Sequence, residues 1–127
     1  MAITTASIGR DRYATQIEAS GHLLTADEPA KLGGANAGPA PYDLLLASLG
    51  ACTAITLRMY ADRKQWPLDS LEVSLRLTGG AEDRRIVRMI TPKGLNAEQA
   101  ARLAEIAERT PVTLTLKAGV GIDTSFA

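Results

Sequence analysis

The chain has 127 residues, with 14 Lys and Arg balancing 14 Asp and Glu, so its formal charge at pH 7 is zero. That length suits one domain with a single core, and the balanced charge leaves no electrostatic footprint for nucleic acid or an anionic membrane surface. A single cysteine, Cys52, excludes a framework of intrachain disulfides.

The start, Met1-Ala2-Ile3-Thr4-Thr5, has neither the basic segment nor the apolar stretch of a signal peptide. No apolar run is read as reaching the roughly 18 to 20 residues of a membrane span, so a cytoplasmic protein is expected. From Ile3 to about Asp27 the pattern predicts short strands. Tyr13, Thr15 and Ile17 alternate with Ala14, Gln16 and Glu18, while Gly9-Arg10-Asp11 and Ser20-Gly21 are turn signals. Glu28 to Ala40 is rich in Gly, Pro and Ala without a period and reads as an ordered loop.

Pro41 suits the first position of a helix, where an N–H is not needed. The helix is expected from about Pro41 to Lys64. Leu44, Leu45, Leu46, Leu49, Ala51, Ala54, Ile55 and Leu57 cover most of its circumference, and a helix apolar nearly all round is buried. Arg58, Asp62, Arg63 and Lys64 make its last turns polar, Pro67 blocks continuation, and Trp66 is expected to fold back over that end.

Leu71, Val73, Leu75 and Leu77 then alternate with Glu72, Ser74, Arg76 and Thr78. Gly79-Gly80 turns the chain and Arg84 to Thr91 returns, which predicts a hairpin. Asn96-Ala97-Glu98-Gln99 has the form of a capping box. It opens a second helix with Leu103, Ile106 and Ala107 inward and spaced ion pairs among Glu98, Arg102, Glu105 and Arg109 outward, ending before Pro111. In the tail, Val112, Leu114 and Leu116, then Gly119-Val120-Gly121-Ile122, predict a short element and a last strand. The order of elements defines an α+β architecture in one domain over residues 1–127. One sheet shields only one side of so apolar a helix, and the uncovered side predicts a homodimer.

Gly33-Gly34, then Gly38-Pro39-Ala40-Pro41-Tyr42-Asp43-Leu44-Leu45-Leu46-Ala47, Leu49-Gly50-Ala51-Cys52-Thr53 and Tyr60-Ala61-Asp62-Arg63-Lys64 together resemble the OsmC/Ohr family, and the resemblance continues into Thr110-Pro111-Val112. It implies an OsmC-like fold: an intertwined homodimer whose long central helices are wrapped by antiparallel sheet, with thiol sites at the subunit interface. The best-studied members are thiol-dependent peroxidases that reduce organic hydroperoxides. They use a peroxidatic cysteine on the central helix, a resolving cysteine before a Pro-Val pair, an arginine from the N-terminal strands and a glutamate after the helix-starting proline. By that resemblance Cys52 matches the peroxidatic cysteine, and Arg12, with Arg10 as rival, matches the arginine. Thr110 stands where the resolving cysteine would be, and Tyr42 stands where the glutamate would be, with Asp43 the nearest carboxylate. The chain is closer to the branch that reads Pro-Tyr-Glu or Pro-Tyr-Asp and lacks the second cysteine.

Two readings of Cys52 follow. A peroxidatic thiol must act as thiolate, and an ordinary cysteine with a pKa of about 8.5 is mostly protonated at neutral pH. Cys52 lies some three turns into its own helix, beyond reach of that helix's N-terminal charge, so Arg12 or Arg10 is required for the active reading. In the other reading Cys52 is a small apolar residue packed with Ser48, Leu49, Ile55 and Thr56. Asp43 projects from the opposite face at roughly 13 Å along the axis and cannot touch the thiol of its own helix; it complements the helix N-terminus, orients an arginine or contributes across the dimer interface. Threonine cannot attack a sulfenic acid, so turnover would need an external thiol reductant, such as a small thiol or a dithiol cofactor, or a partner chain's cysteine.

The function expected is a one-cysteine peroxidase, or a related sulfur- or acyl-handling thiol, with a pocket of Tyr42, Asp43, Leu45, Leu49, Leu57 and Thr110. The alternative is a non-catalytic homologue binding a small apolar ligand at the dimer interface. No metal or cofactor is expected. His22 stands alone, Gly33-Gly34 through Gly38 lacks the Gly-Lys-Ser/Thr of a phosphate loop, and Ser48, Thr53 and Thr56 have no histidine to activate them and are expected to bond to their own helix's carbonyls.

Overall fold

The computed structural model describes residues 2–127 and divides into two compact units, one ending at Leu45 and one running from Leu46 to Ala127. In the first unit, β1 (Thr4–Ile8), β2 (Thr15–Ala19) and β3 (His22–Ala26) form an antiparallel sheet in the order β1-β2-β3. The alternation expected for β2 is present, with Thr15, Ile17 and Ala19 half-buried and Gln16 and Glu18 exposed. Ser20 and Gly21, at φ 48° and 87°, make the two-residue turn that matches the twist of β2 and β3.

After β3 the glycine-rich segment, with a short 3-10 turn at Ala30–Leu32, is organised by one buried carboxylate. Asp27 Oδ1 accepts the Glu28 N–H at 2.7 Å, and Oδ2 accepts those of Ala35 and Ala37, both at 3.1 Å. The Ala37 N–H is the main cause holding the Asp27 carboxyl below its ordinary range, against the opposing effect of burial, with Glu28 and Ala35 adding to it. Gly38 is required here because a Cβ would run into the Thr25 carbonyl.

The long helix, α1 (Pro41–Arg63), begins in this unit, where Asp43 Oδ2 accepts the Ala40 N–H at 3.0 Å, and continues into the second. In the second unit it buries one line of residues four apart, Leu49, Thr53, Leu57 and Ala61. Ile55 and Met59 on another face are more than half exposed within the chain. An 18-residue window of α1 reaches a mean hydropathy of 1.5, enough by length and composition to cross a membrane. This corrects the expectation that no run would reach that length; the window tolerates the small polar residues Ser48, Thr53 and Thr56 among its leucines and alanines. Its packing against protein on the Leu49–Ala61 line is that of a core helix.

The end of α1 is set by a Schellman closure one turn before Pro67. Gln65 lies in the left-handed region at φ 58°, the Trp66 N–H bonds the Ala61 carbonyl, and the Gln65 N–H bonds that of Asp62. Trp66 folds back edge-on to Tyr60, ring centroids 5.5 Å apart. The hairpin then forms from β4 (Ser70–Thr78) and β5 (Arg85–Lys93), in the register Leu75↔Arg88. Gly50 lets the sheet approach α1, since a Cβ there would lie 2.9 Å from Leu75 Cδ1.

α2 (Ala97–Ala107) has the expected capping box between Asn96 and Gln99, and its Leu103 and Ala107 enclose Leu57 in the core. On its outer face Arg102 pairs with Glu105 at 2.8 Å and bonds Tyr60 Oη.

The tail contains the short element expected but not the last strand. Pro111–Ala118 is a helix, α3, and residues 119–127 form no strand. Pro111 at the first helical position favours this outcome over the strand alternation of Val112, Leu114 and Leu116.

Replacing Asp27 by Ala is expected to raise hydrogen exchange at the Ala35 and Ala37 amides by about tenfold or more. Because the folded-state pKa of Asp27 lies below its unfolded value, its contribution is complete above the ordinary aspartate range and is lost as pH falls through the lowered value. The same two amides in the unaltered protein should therefore lose protection only at acid pH, as read by exchange across a pH series.

Candidate functional site

Cys52 lies on α1 beside the buried line and is itself half-buried. Its Sγ accepts the Val112 N–H at 3.5 Å and lies 3.9 Å from Thr56 Oγ1. Val112 is the second residue of α3, so its N–H has no partner within that helix. The sulfur thus meets the N-terminal turn of a helix other than its own.

The first turn of α3 is held by side chains. Thr110 caps the helix by position, is fully buried, and its Oγ1 lies 2.6 Å from Thr113 Oγ1. Thr113 donates to the Ala107 carbonyl at 3.3 Å, which leaves its lone pairs to accept from Thr110 and from Arg88 Nη1, the latter at 2.9 Å.

Arg88 joins all of this. Nη1 also donates to Thr53 Oγ1 at 2.9 Å, and Nη2 donates to the Ala107 carbonyl at 3.0 Å and to Glu108 Oε2 at 3.4 Å. Thr53 in turn donates to the Leu49 carbonyl at 2.7 Å. One guanidinium from β5 therefore binds α1, the C-terminus of α2 and the first turn of α3. A cation beside the last carbonyl of α2 also complements that helix's dipole. Glu108 accepts from Lys117 at 2.8 Å as well. The Lys117 hydrogen bond is the main cause keeping the Glu108 carboxyl below its usual range, with Arg88 adding to it against partial desolvation.

Among the residues expected to act, Cys52 meets the first turn of α3 through the Val112 N–H, and Thr110 is the N-cap of that helix, in contact with Thr113. Leu49 lies on the buried line one turn before Thr53, and Leu57 is fully enclosed in the core with Leu103. Arg10 and Arg12 lie in the first unit, both exposed, with the Arg12 N–H bonded to the Arg10 carbonyl. Tyr42, Asp43 and Leu45 also belong to that unit; Tyr42 is half exposed and Asp43 caps the start of α1. His22 is exposed at the start of β3, and no cluster of three or more potential metal ligands occurs among the described residues.

Arg88 was absent from the sequence expectation, yet its signal was legible. It stands in register with Ile86 and Ile90 on the inward side of β5, while Val87 and Met89 point out. A charged residue at an inward strand position must find acceptors.

Fold and site define an α+β protein with one thiol held between a long helix and the first turn of a short one. The chain belongs to the OsmC-like protein family, whose sequence profile matches residues 33–125. An organic hydroperoxide resistance protein, OsmC, of Legionella pneumophila is similar in structure with a TM-score of 0.68 at 24% identity, over 92% of this chain and 89% of that one. A protein of Psychrobacter arcticus 273-4 gives 0.77 at 20% identity, over 91% and 88%. An OsmC like protein of Mycoplasma pneumoniae gives 0.73 at 17%, over 92% and 87%. These likenesses establish the α+β fold with its antiparallel sheets and long helix. No match was found among curated proteins.

Arg88→Met should destabilise the protein by about 2 to 4 kcal/mol in urea denaturation, because Thr53, Thr113 and the Ala107 carbonyl lose a charged donor in a buried setting. Glu108→Gln, at an exposed carboxylate, should cost less than about 1 kcal/mol.

Proposed function

We propose that the protein is a one-cysteine thiol-dependent peroxidase that reduces organic hydroperoxides, with Cys52 as nucleophile. The observation that carries this reading is the Val112 N–H directed at Cys52 Sγ from the start of α3. It gives the sulfur a backbone donor from the first turn of a second helix. Membership of the OsmC-like family and likeness to a hydroperoxide resistance protein support the same chemistry.

In the first step the Cys52 thiolate attacks the terminal oxygen of the hydroperoxide. The S–O bond forms, the O–O bond breaks, and the alkoxide leaves as alcohol after taking a proton. Cys52 becomes sulfenic acid. With no second cysteine in the chain, an external thiol displaces water from that sulfur, and a second thiol releases Cys52 as a disulfide of the reductant forms. Arg12, or Arg10, is the guanidinium assigned by family resemblance to polarise the peroxide, and Tyr42, Asp43, Leu45, Leu49, Leu57 and Thr110 remain the candidate pocket residues.

The working unit in this reading is a homodimer in the cytoplasm, where a lone thiol stays reduced. The exposed apolar residues Ile55 and Met59 on α1, and Val120, Ile122 and Phe126 in the tail, favour a second copy as the partner that covers them. The same apolar surface would serve the second reading, in which an interface cavity binds a small apolar ligand and Cys52 only lines it.

Treatment of the folded protein with one equivalent of cumene hydroperoxide should add one oxygen to Cys52 within seconds by mass spectrometry. Cys52→Ser should abolish peroxide consumption while leaving the fold intact. A thiol that stays unmodified until the protein is denatured would overturn the peroxidase reading in favour of ligand binding.

A further inference from the structure

α3 is too short to hold its own position. It has eight residues, and an isolated helix shorter than about 12 to 15 residues is marginal in water. Residues 119–127 form no helix or strand that could fix it from its C-terminal side, and its Leu114 and Leu116 side chains are exposed. Where α3 rests is therefore decided by what grips its first turn.

Much of that grip passes through one hydroxyl. Thr113, only 5% exposed, accepts from Arg88 Nη1 at 2.9 Å, lies 2.6 Å from Thr110 Oγ1 and donates to the Ala107 carbonyl at 3.3 Å. A hydroxyl has one donor and two acceptor sites, so Thr113 Oγ1 is fully used. The same Arg88 nitrogen donates to Thr53 Oγ1, also at 2.9 Å. Thr53 is the residue after Cys52, and Thr113 is the residue after Val112, whose N–H meets the sulfur. One guanidinium nitrogen thus bridges α1 and α3 at the two residues next to the thiol contact, and it fixes the separation of the two helices at that level.

We propose that Arg88 and Thr113 are positioning residues for Cys52, setting where its sulfur is held for attack on the hydroperoxide; the proposal rests on the peroxidase reading. Both act through the sulfur rather than on the peroxide. The sulfur must approach the terminal oxygen along the O–O axis, and a misplacement of about 1 Å costs up to about a hundredfold in rate. With the bridge in place, the Val112 N–H keeps the sulfur in one orientation. Without it, the first turn of α3 shifts and the sulfur loses that partner.

The test compares two variants of the full chain. Thr113→Val keeps the side chain's shape and removes the hydroxyl, while Thr113→Ser keeps the hydroxyl. One readout is the second-order rate at which Cys52 of the folded protein is oxidised by cumene hydroperoxide. The other is the Val112 amide resonance in the NMR spectrum before and after that oxidation. Thr113→Val is expected to slow oxidation about tenfold and to weaken the response of the Val112 resonance, and Thr113→Ser should restore the rate to within about twofold of the unaltered protein. Arg88→Lys keeps the buried cation but offers one ammonium in place of the planar fork that reaches Thr53, Thr113 and Ala107 together. It should slow oxidation as well, and it tests the bridge from β5 without depending on the folding of the Val variant. A merely structural role would lower the urea midpoint and leave the rate of the folded molecules unchanged. Folded Thr113→Val or Arg88→Lys protein that reacts at the unaltered rate, or Thr113→Ser as slow as Thr113→Val, overturns the positioning role and leaves the peroxidase reading standing. Failure of the unaltered protein to form sulfenate overturns both.

Discussion

The second unit depends on a guanidinium in a place where a charge is costly. Arg88 faces inward from β5, opposite Leu75 and between two isoleucines, and its side chain is only 12% exposed. Such a group is tolerated when its N–H donors find acceptors, and four of them do, on Thr53, Thr113, the Ala107 carbonyl and Glu108. The acceptors lie on α1, on the first turn of α3 and at the C-terminal end of α2. Apolar contacts, being non-directional, would hold α1, α2 and α3 together without setting their register. The directed bonds set it, and no buried side-chain polar atom among the described residues lacks a partner.

The position of the sulfur's hydrogen bond follows from that register. Thr113 is tied to Arg88, to Thr110 and to the end of α2, so the first turn of α3 has little freedom. Val112, inside that turn, then presents its unpaired N–H to Cys52. The expectation from sequence was that α1's own N-terminus was too distant to affect Cys52 and that only an arginine side chain could. That argument about distance along α1 is sound. A second helix, whose first turn comes from near the other end of the chain, also meets the sulfur; the tail was expected to hold a short element whose type the sequence left open.

In the first unit the glycine-rich segment has a structural explanation that does not involve a ligand. Its backbone wraps the Asp27 carboxylate, and the close approach of Gly38 to the Thr25 carbonyl leaves no room for a side chain. The segment therefore delivers the chain in fixed conformation to Pro41, where Asp43 takes up a free N–H at the start of α1. The family motif from Gly33 to Asp43 thus consists largely of residues that make a particular entry into the helix.

The sequence alone determined the elements whose signals are local. The alternation of Leu71 to Leu77, the capping box at Asn96 and the apolar run after Pro41 each specify their own structure, because strand period, cap chemistry and helical coverage act within a few residues. The same is true of Ser20-Gly21, and the motifs around Cys52 carried the family. The tertiary structure decided what meets the thiol. Val112 is 60 residues from Cys52 and Arg88 is 35 from Thr53. Contacts over such separations depend on how helices and sheet pack, and the charges and donors involved leave no periodic trace in the sequence. Even the inward arginine of β5 signals only that acceptors must exist. Which ones they are is a property of the folded chain, since three-dimensional packing, and not spacing, brings donors and acceptors within hydrogen-bonding distance.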